Sequence, residues 1–419
     1  MDFQFPSLYR QNQKKVKTVV IDEWEEVSPH LNPHEYNPEM QALIELHTAY
    51  LKLYSEKLKS IRVLDPACGS GAFLNQVGDY LAEEGFSVWK SLLKLNNGQT
   101  LLGEWDGPEY NKEILRNNLF GVDLNKESVE ITKLSLWLNT ADANKTLTTL
   151  DENILCHNSI VSPDKAEDPL AMWGHWYPDI MSEGGFDIVI GNPPYTTVDS
   201  ECKKYVSKYF ETQQYNYDTY PLFIELSHKL TKKGGYIGLI TPDTYFMNVQ
   251  TPKIHEYLVK NATLLNIVQA NVFEDANVYP IISIYKKELL GEDYPFTVIT
   301  TPSQKIKTSN FMVDDMDPVQ YTQKDLKVND GFIFNYYSGN EVEQNLREKI
   351  TSYSRLLSDV AEIKCGIKPY QQNKGYPKQG KDWGKIGYYE SREKKMKLTS
   401  PIFLGKILVH IALYGMAHT

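Results

Sequence analysis

A chain of 419 residues, 41% hydrophobic and 23% charged, has room for two or three domains and at least one large core. It holds no apolar run of about 18 residues and no signal-like apolar stretch near its start, so a cytoplasmic protein is expected. Its four scattered cysteines form no CxxC pair, which speaks against a zinc site, and a net charge of −10 argues mildly against a nucleic-acid partner.

Residues 1–35 are polar and carry few periodic signals. Residues 38–59 read as an amphipathic helix, with Pro38 in its first turn and a stripe of Leu43, Leu46, Leu51, Leu53 and Leu58. The stretch SIRVLDPACGSGAFL follows. Ile61 to Leu64 is a short apolar strand, Asp65 closes it, Gly69-Ser70-Gly71 makes a tight turn, and Ala72 to Glu83 continues as a helix. Strand, glycine turn and helix form a nucleotide-binding arrangement, although D-P-x-C-G-S-G is not the G-x-G-x-x-G of dinucleotide enzymes. Residues 85–118 read as an insertion with turns at Asn97-Gly98 and Asp106-Gly107-Pro108.

Leu119 to Val122 is the second strand, with Asp123 and Leu124 at its carboxyl end and a helix over Lys126–Asn139. A carboxylate there can accept from both hydroxyls of a ribose; as a plain alternative, Asp123 or Asn125 caps the helix. Leu150 to Val161 holds the third strand and its exit, His157-Asn158-Ser159. Trp173, Trp176 and Tyr177 are expected in a packing loop.

FDIVIGNPPY, Phe186 to Tyr195, is the stretch with the clearest chemistry. Its β-branched run reads as a strand buried on both faces. Gly191 permits a turn, and two prolines cannot donate ladder hydrogen bonds. The backbone carbonyls there are free to accept, Asn192 can both donate and accept, and Tyr195 offers a flat ring. Together they suit a planar NH2 group.

Residues 196–217 form a tyrosine-rich loop that could close over a substrate. Asp218 to Leu230 is a helix, with Lys232-Lys233-Gly234-Gly235 expected as its C-cap. A fifth strand follows, then Tyr245 and Phe246, then an antiparallel pair within Asn266–Glu288. Alternating strands and helices give an α/β doubly wound sheet. From about Asp293 the pattern changes. Residues 355–397 carry eleven basic residues against five acidic ones, interleaved with Tyr370, Tyr376, Trp383, Tyr388 and Tyr389, a composition suited to a nucleic-acid surface. Glu362-Ile363-Lys364 is read as a chance match to a nuclease triplet. From Leu398 the chain turns apolar, as if cut short within a domain.

Asp65 to Gly71, Asp123, Asn158 and Asn192-Pro193-Pro194-Tyr195 occur in an order that resembles the gamma-class adenine-N6 DNA methyltransferases of type IIG and related restriction–modification and phage-defence systems. The resemblance covers roughly residues 60–290. It departs at His157, where that family usually has Gly, and in lacking a Gly-x-Tyr-Thr-Pro-like element before the first strand.

The resemblance implies a seven-stranded S-adenosylmethionine-dependent methyltransferase sheet over residues 61–292. A helical segment over 1–60 precedes it, and a linker with part of a target-recognition domain over 293–419 follows; Leu356 to Tyr370 resembles the opening of such a domain. It implies that Asp65, Pro66, Ala67, Gly69, Gly71, Asp123, Leu124 and Asn158 bind S-adenosylmethionine, and that Asn192, Pro193, Pro194 and Tyr195 are catalytic. Tyr195 and Phe246 would stack on a flipped adenine, no metal would be needed, and the partner would be double-stranded DNA, with a nuclease or specificity module fused or separate. RNA, a protein glutamine amide, or no reaction at all in a truncated binding fragment are the competing readings.

Overall fold

A computed structural model describes residues 38–96, 107–138, 149–165, 167–214, 217–247, 252–269, 280–300 and 318–327, with isolated positions between 346 and 352. The readings made for residues 1–35, for the Asn97-Gly98 turn and for everything from Arg355 onward lie outside the described residues. Among the described residues, no helix is long and apolar enough to cross a membrane.

The chain divides into two compact units. The first contains helix α1 (Pro38–Ser60), helix α2 (Ala72–Leu95) from Gly78 on, and helix α3 (Gly107–Asn117). Within 85–118, expected as an insertion with turns, 85–95 and 107–117 are helical. Gly85 looks like a stop in the sequence but stays within α2. A Cβ there would lie 2.3 Å from the Tyr110 ring, so the glycine lets α3 approach. Asn118 donates from Nδ2 to the carbonyls of Leu58 (2.8 Å) and Ile61 (2.6 Å), which ties the end of α3 to the end of α1.

The second unit holds one nine-stranded sheet in the order β3-β2-β1-β4-β5-β7-β6-β8-β9. The strands are β1 (Val63–Asp65), β2 (Leu119–Asp123), β3 (Ile154–Cys156), β4 (Phe186–Gly191), β5 (Thr231–Pro242), β6 (Thr263–Gln269), β7 (Pro280–Lys286), β8 (Pro295–Thr300) and β9 (Val319–Thr322). The first five run parallel; β7 lies antiparallel between β5 and β6. The expected seven strands are all present. Two more, β8 and β9, continue the sheet beyond residue 292, where the sequence reading drew its boundary. They are short and separated by residues whose pattern is mixed, so composition gave them no signal.

Helix α8 (Thr219–Leu230) is buried on nearly every side, as its apolar composition requires. Leu222, Leu226 and Leu230 join one core cluster with Leu64, Val189 and Trp173. Tyr220 and Ile224 join another with Ile237, Ile267 and Ile281. The expected glycine C-cap is not used. Thr231 Oγ1 donates to Ser227 O (2.7 Å), and the Lys287 ammonium donates to Thr231 O (2.6 Å), a cation placed where the helix dipole is negative. Gly235 instead serves the entry to β5, where a Cβ would lie 2.6 Å from Asp187 O.

Trp173 and Trp176 lie in a helix, α5 (Pro169–Trp176), not in a loop, and a short helix, α6 (Pro178–Ser182), follows it. Asp168 caps it by accepting from Leu170 N (2.8 Å), and Pro169 opens it. Within the loop expected over 196–217 stands a short helix, α7 (Lys203–Tyr209).

Candidate active site

The order of the sheet fixes where a ligand crevice forms. From β1 the chain moves outward to β2 and β3; from β4 it moves the other way to β5. At such a reversal the loops leaving the carboxyl ends of the two central strands part company and leave an opening. Here those ends are Asp65 of β1 and Gly191 of β4, joined by the pairs Val63–Ile188 and Leu64–Val189. The approach is close. A Cβ on Gly191 would sit 2.7 Å from Asp65 Oδ1. The two motifs most widely separated in sequence, Asp65–Gly71 and Asn192–Tyr195, thus leave neighbouring strands on the same side.

Asp65 is 1% exposed. Its Oδ1 accepts from Ala67 N (3.0 Å), while the buried Oδ2 has no partner among the described residues. Burial pushes its carboxyl up to about 7; the Ala67 N–H opposes the rise, and the charge of Asp123 adds to it. The turn beyond is built around glycine. Gly69 and Gly71 take φ of +52° and +79°, and a Cβ on Gly71 would lie 2.7 Å from Thr132 Cγ2. Thr132 Oγ1 donates to Gly69 O (2.8 Å), and Ser159 Oγ donates to Pro66 O (2.6 Å).

Asn125 caps the helix that follows, its Oδ1 accepting from Ser128 N (2.7 Å), and Asp123 makes two other contacts. Its Oδ1 accepts from Asn125 N (2.8 Å), beside helix α4 (Lys126–Leu138), and its Oδ2 accepts from Gly69 N (2.9 Å), bracing the glycine turn. Each oxygen keeps a further acceptor site. Leu124 next to it is 71% exposed, a bare apolar face at a strand end. Asn158 accepts through Oδ1 from Ile160 N and Val161 N (both 3.0 Å), which leaves its NH2 to face outward. His157 is stacked on Trp176, with ring centroids 4.5 Å apart, and partial burial lowers its pKa.

On the β4 side, Asn192 is exposed and Pro193 buried. Among the described residues, no hydrogen bond engages the Asn192 amide or the Pro193 carbonyl. Tyr195 is 37% exposed; its hydroxyl donates to Ile240 O (3.0 Å), and its ring meets Tyr220 edge-on. The ring is tethered at its polar end with part of its surface open. Phe246, expected as a second stacking ring, is 1% exposed. It packs against Tyr245 (centroids 4.2 Å) and His255 (5.4 Å), so the core takes its faces and that expectation is corrected.

Three residues of this site gave no signal in the sequence: Thr132 and Ser159, which hold the glycine turn, and Thr219. The Thr219 hydroxyl donates to Pro194 O and its N–H to Thr196 O (2.8 Å). A single hydroxyl on a helix looks like any other until the chain brings a carbonyl to it.

Residues 117–275 match the model of the Eco57I restriction-modification methylase family. A type II restriction enzyme and methyltransferase of Escherichia coli, RM.Eco57I, is 28% identical over 250 residues, 54% of this chain and 24% of that protein. A putative type II restriction enzyme and methyltransferase of Methanocaldococcus jannaschii, RM.MjaORFECS2P, is 31% identical over 206 residues, 46% of this chain and 16% of that protein. The adenine-specific methyltransferase BrxX of Escherichia coli O9:H4 is 31% identical over 107 residues, 26% of this chain and 7% of that protein. The chain thus spans a quarter or less of the length of these curated relatives. The family match covers β2 to β6 and includes Asp123, Asn158 and the Asn192–Tyr195 turn, while the glycine turn lies outside it, separated by α2 and most of α3.

Proposed function

We propose that this chain methylates the N6 amine of a flipped-out adenine at specific sites in double-stranded DNA, with S-adenosylmethionine as donor, within a restriction–modification or phage-defence system. The observation that carries this reading is the packing of Gly191 on Asp65, where a Cβ would lie 2.7 Å from Oδ1, so that the two motifs leave adjacent parallel strands next to an unpaired buried carboxyl oxygen.

The residues of the β1 side fit S-adenosylmethionine. Asp65 Oδ2 is a buried acceptor in want of a donor or a positive charge, and at Gly69 a Cβ would project into open space. Asp123 has acceptor sites left for a ribose, and Leu124 and the Asn158 NH2 offer apolar and polar contacts for an adenine ring. When bound, this cofactor supplies an electrophilic methyl group on sulfur.

A base within a duplex cannot present its exocyclic amine, so the target must leave the stack. Tyr195 would take one face of the base, its orientation preset by the hydroxyl bond to Ile240 O. The Asn192 side chain and the Pro193 carbonyl would accept the two amine hydrogens and aim the nitrogen lone pair. Neither group takes up a proton near neutral pH, so they hold and orient, and catalysis is mainly positioning and electrostatics. Adenine, rather than a protein amide, is favoured by the likeness to BrxX, an adenine-specific methyltransferase. The basic, aromatic segment 355–397 is the part of the chain proposed to meet DNA phosphates.

The test is methyl transfer from labelled S-adenosylmethionine to unmethylated bacterial DNA, with modified adenines located by sequencing. Asn192→Ala should abolish incorporation while calorimetry still detects cofactor binding. Binding with no incorporation by the unaltered chain would favour the non-catalytic fragment. Loss of cofactor binding in Asn192→Ala would assign that residue elsewhere.

A further inference from the structure

The catalytic turn has an unusual constraint: two of its four residues have no N–H, so Pro193 and Pro194 cannot donate a hydrogen bond to hold it. An outside donor has to do so. Thr219, the first residue of α8 and a buried one, is placed for it. Its N–H donates to Thr196 O (2.8 Å), and Thr196 N–H donates back to Thr219 Oγ1 (3.2 Å). Its hydroxyl proton has two acceptors in reach, Pro194 O and, at 3.1 Å, Thr196 O. One proton serves one acceptor best, and Pro194 O is the closer.

The consequence follows from proline stereochemistry. The ring of Pro194 locks its φ, so the peptide plane that carries the Pro193 carbonyl moves rigidly with that residue. Pinning Pro194 O fixes the remaining dihedral, ψ, and with it the direction in which the chain enters Tyr195. One hydroxyl therefore sets both neighbours, the acceptor before it and the stacking ring after it. We propose that Thr219 is a positioning residue for the methyl transfer described above, an inference that rests on that reading: its hydroxyl locks Pro194 so that the Pro193 carbonyl and the Tyr195 ring meet the target amine together. It touches neither substrate nor cofactor.

The test compares Thr219→Val, which keeps the shape and removes the hydroxyl, with Thr219→Ser, which restores it. The full chain is used with S-adenosylmethionine and unmethylated bacterial DNA. Thr219→Val should lower the single-turnover rate by about 10- to 100-fold, the scale of a misplaced reacting group. Its Kd values for cofactor and DNA should stay unchanged, and Thr219→Ser should recover most of the rate. A Thr219→Val rate equal to that of the unaltered chain overturns the inference. So does a fall matched by lost cofactor or DNA affinity or by a collapsed melting transition, because the hydroxyl would then serve folding alone. If the unaltered chain methylates no DNA, the functional reading falls with it. If it does and Thr219→Val matches it, only the role of Thr219 falls.

Discussion

Asp65 carries an energetic cost that the proposed cofactor site would explain. A carboxyl buried beside Asp123 with one oxygen unpaired holds its proton up to about pH 7, against 3.8 in the unfolded chain. Over that window the folded state binds the extra proton, so stability without cofactor should fall as pH rises from about 4 to about 7 and level off above. Melting curves of the unaltered chain and Asp65→Asn, taken at intervals between those limits, check this; the substitution should flatten the dependence and abolish cofactor binding. A cationic donor favours the ionised carboxyl, so S-adenosylmethionine binding should release a proton and weaken as pH drops below about 7. Calorimetry in buffers of different ionisation enthalpy reads that proton directly. Gly71→Ala should cost roughly 1–3 kcal/mol through its left-handed backbone alone, with a clash on Thr132 added.

At the scale of elements, two helices brace the proposed site. Trp173 on α5 is 0% exposed, and its indole N–H donates to Ser159 O (3.0 Å). Ser159 in turn donates to Pro66 O in the turn after β1. Trp173→Ala should therefore do two things at once. It should destabilise the chain by about 3–5 kcal/mol as a core cavity, and it should weaken cofactor binding by loosening the turn. Chemical denaturation and calorimetry on the same preparation separate the two effects. Unchanged cofactor affinity in the folded variant would mean that the chain from α5 through Ser159 to Pro66 transmits nothing. Helix α8 plays the matching part for the other half of the site, with Thr219 at its start and Glu225 accepting from the N–H groups of Glu211 (3.1 Å) and Thr212 (2.8 Å) in the loop above.

For the whole molecule, the decisive feature is where the sheet ends. β8 pairs with β6, and β9 with β8; Phe296 and Val298 are buried in the same cluster as Ile267. The Gln323 side chain closes the corner, donating to Leu264 O (2.8 Å) and accepting from Leu264 N (3.1 Å). A chain stopped after residue 292 should thus expose the edge of β6 and an apolar face, and aggregate. One stopped after Lys327 should keep the sheet and bind S-adenosylmethionine. Size-exclusion chromatography and melting curves of the two distinguish these outcomes, and equal behaviour would show β8 and β9 to be dispensable.

Local chemistry made much of this legible in the sequence. A β-branched run ended by Gly191 and two prolines is a buried strand with an open end. Gly69-Ser70-Gly71 after a strand is a tight turn, because Gly69 and Gly71 take left-handed backbone that favours glycine. Other features depend on partners distant in sequence, and only the tertiary structure decided them. Gly85 stays helical because Tyr110 lies against it; Phe246 is core because Tyr245 and His255 cover it; Lys287, not the glycine pair, ends α8. Thr132, Ser159 and Thr219 belong to the same class. A hydroxyl has no pattern of its own, and its role exists only once folding delivers the carbonyl it binds.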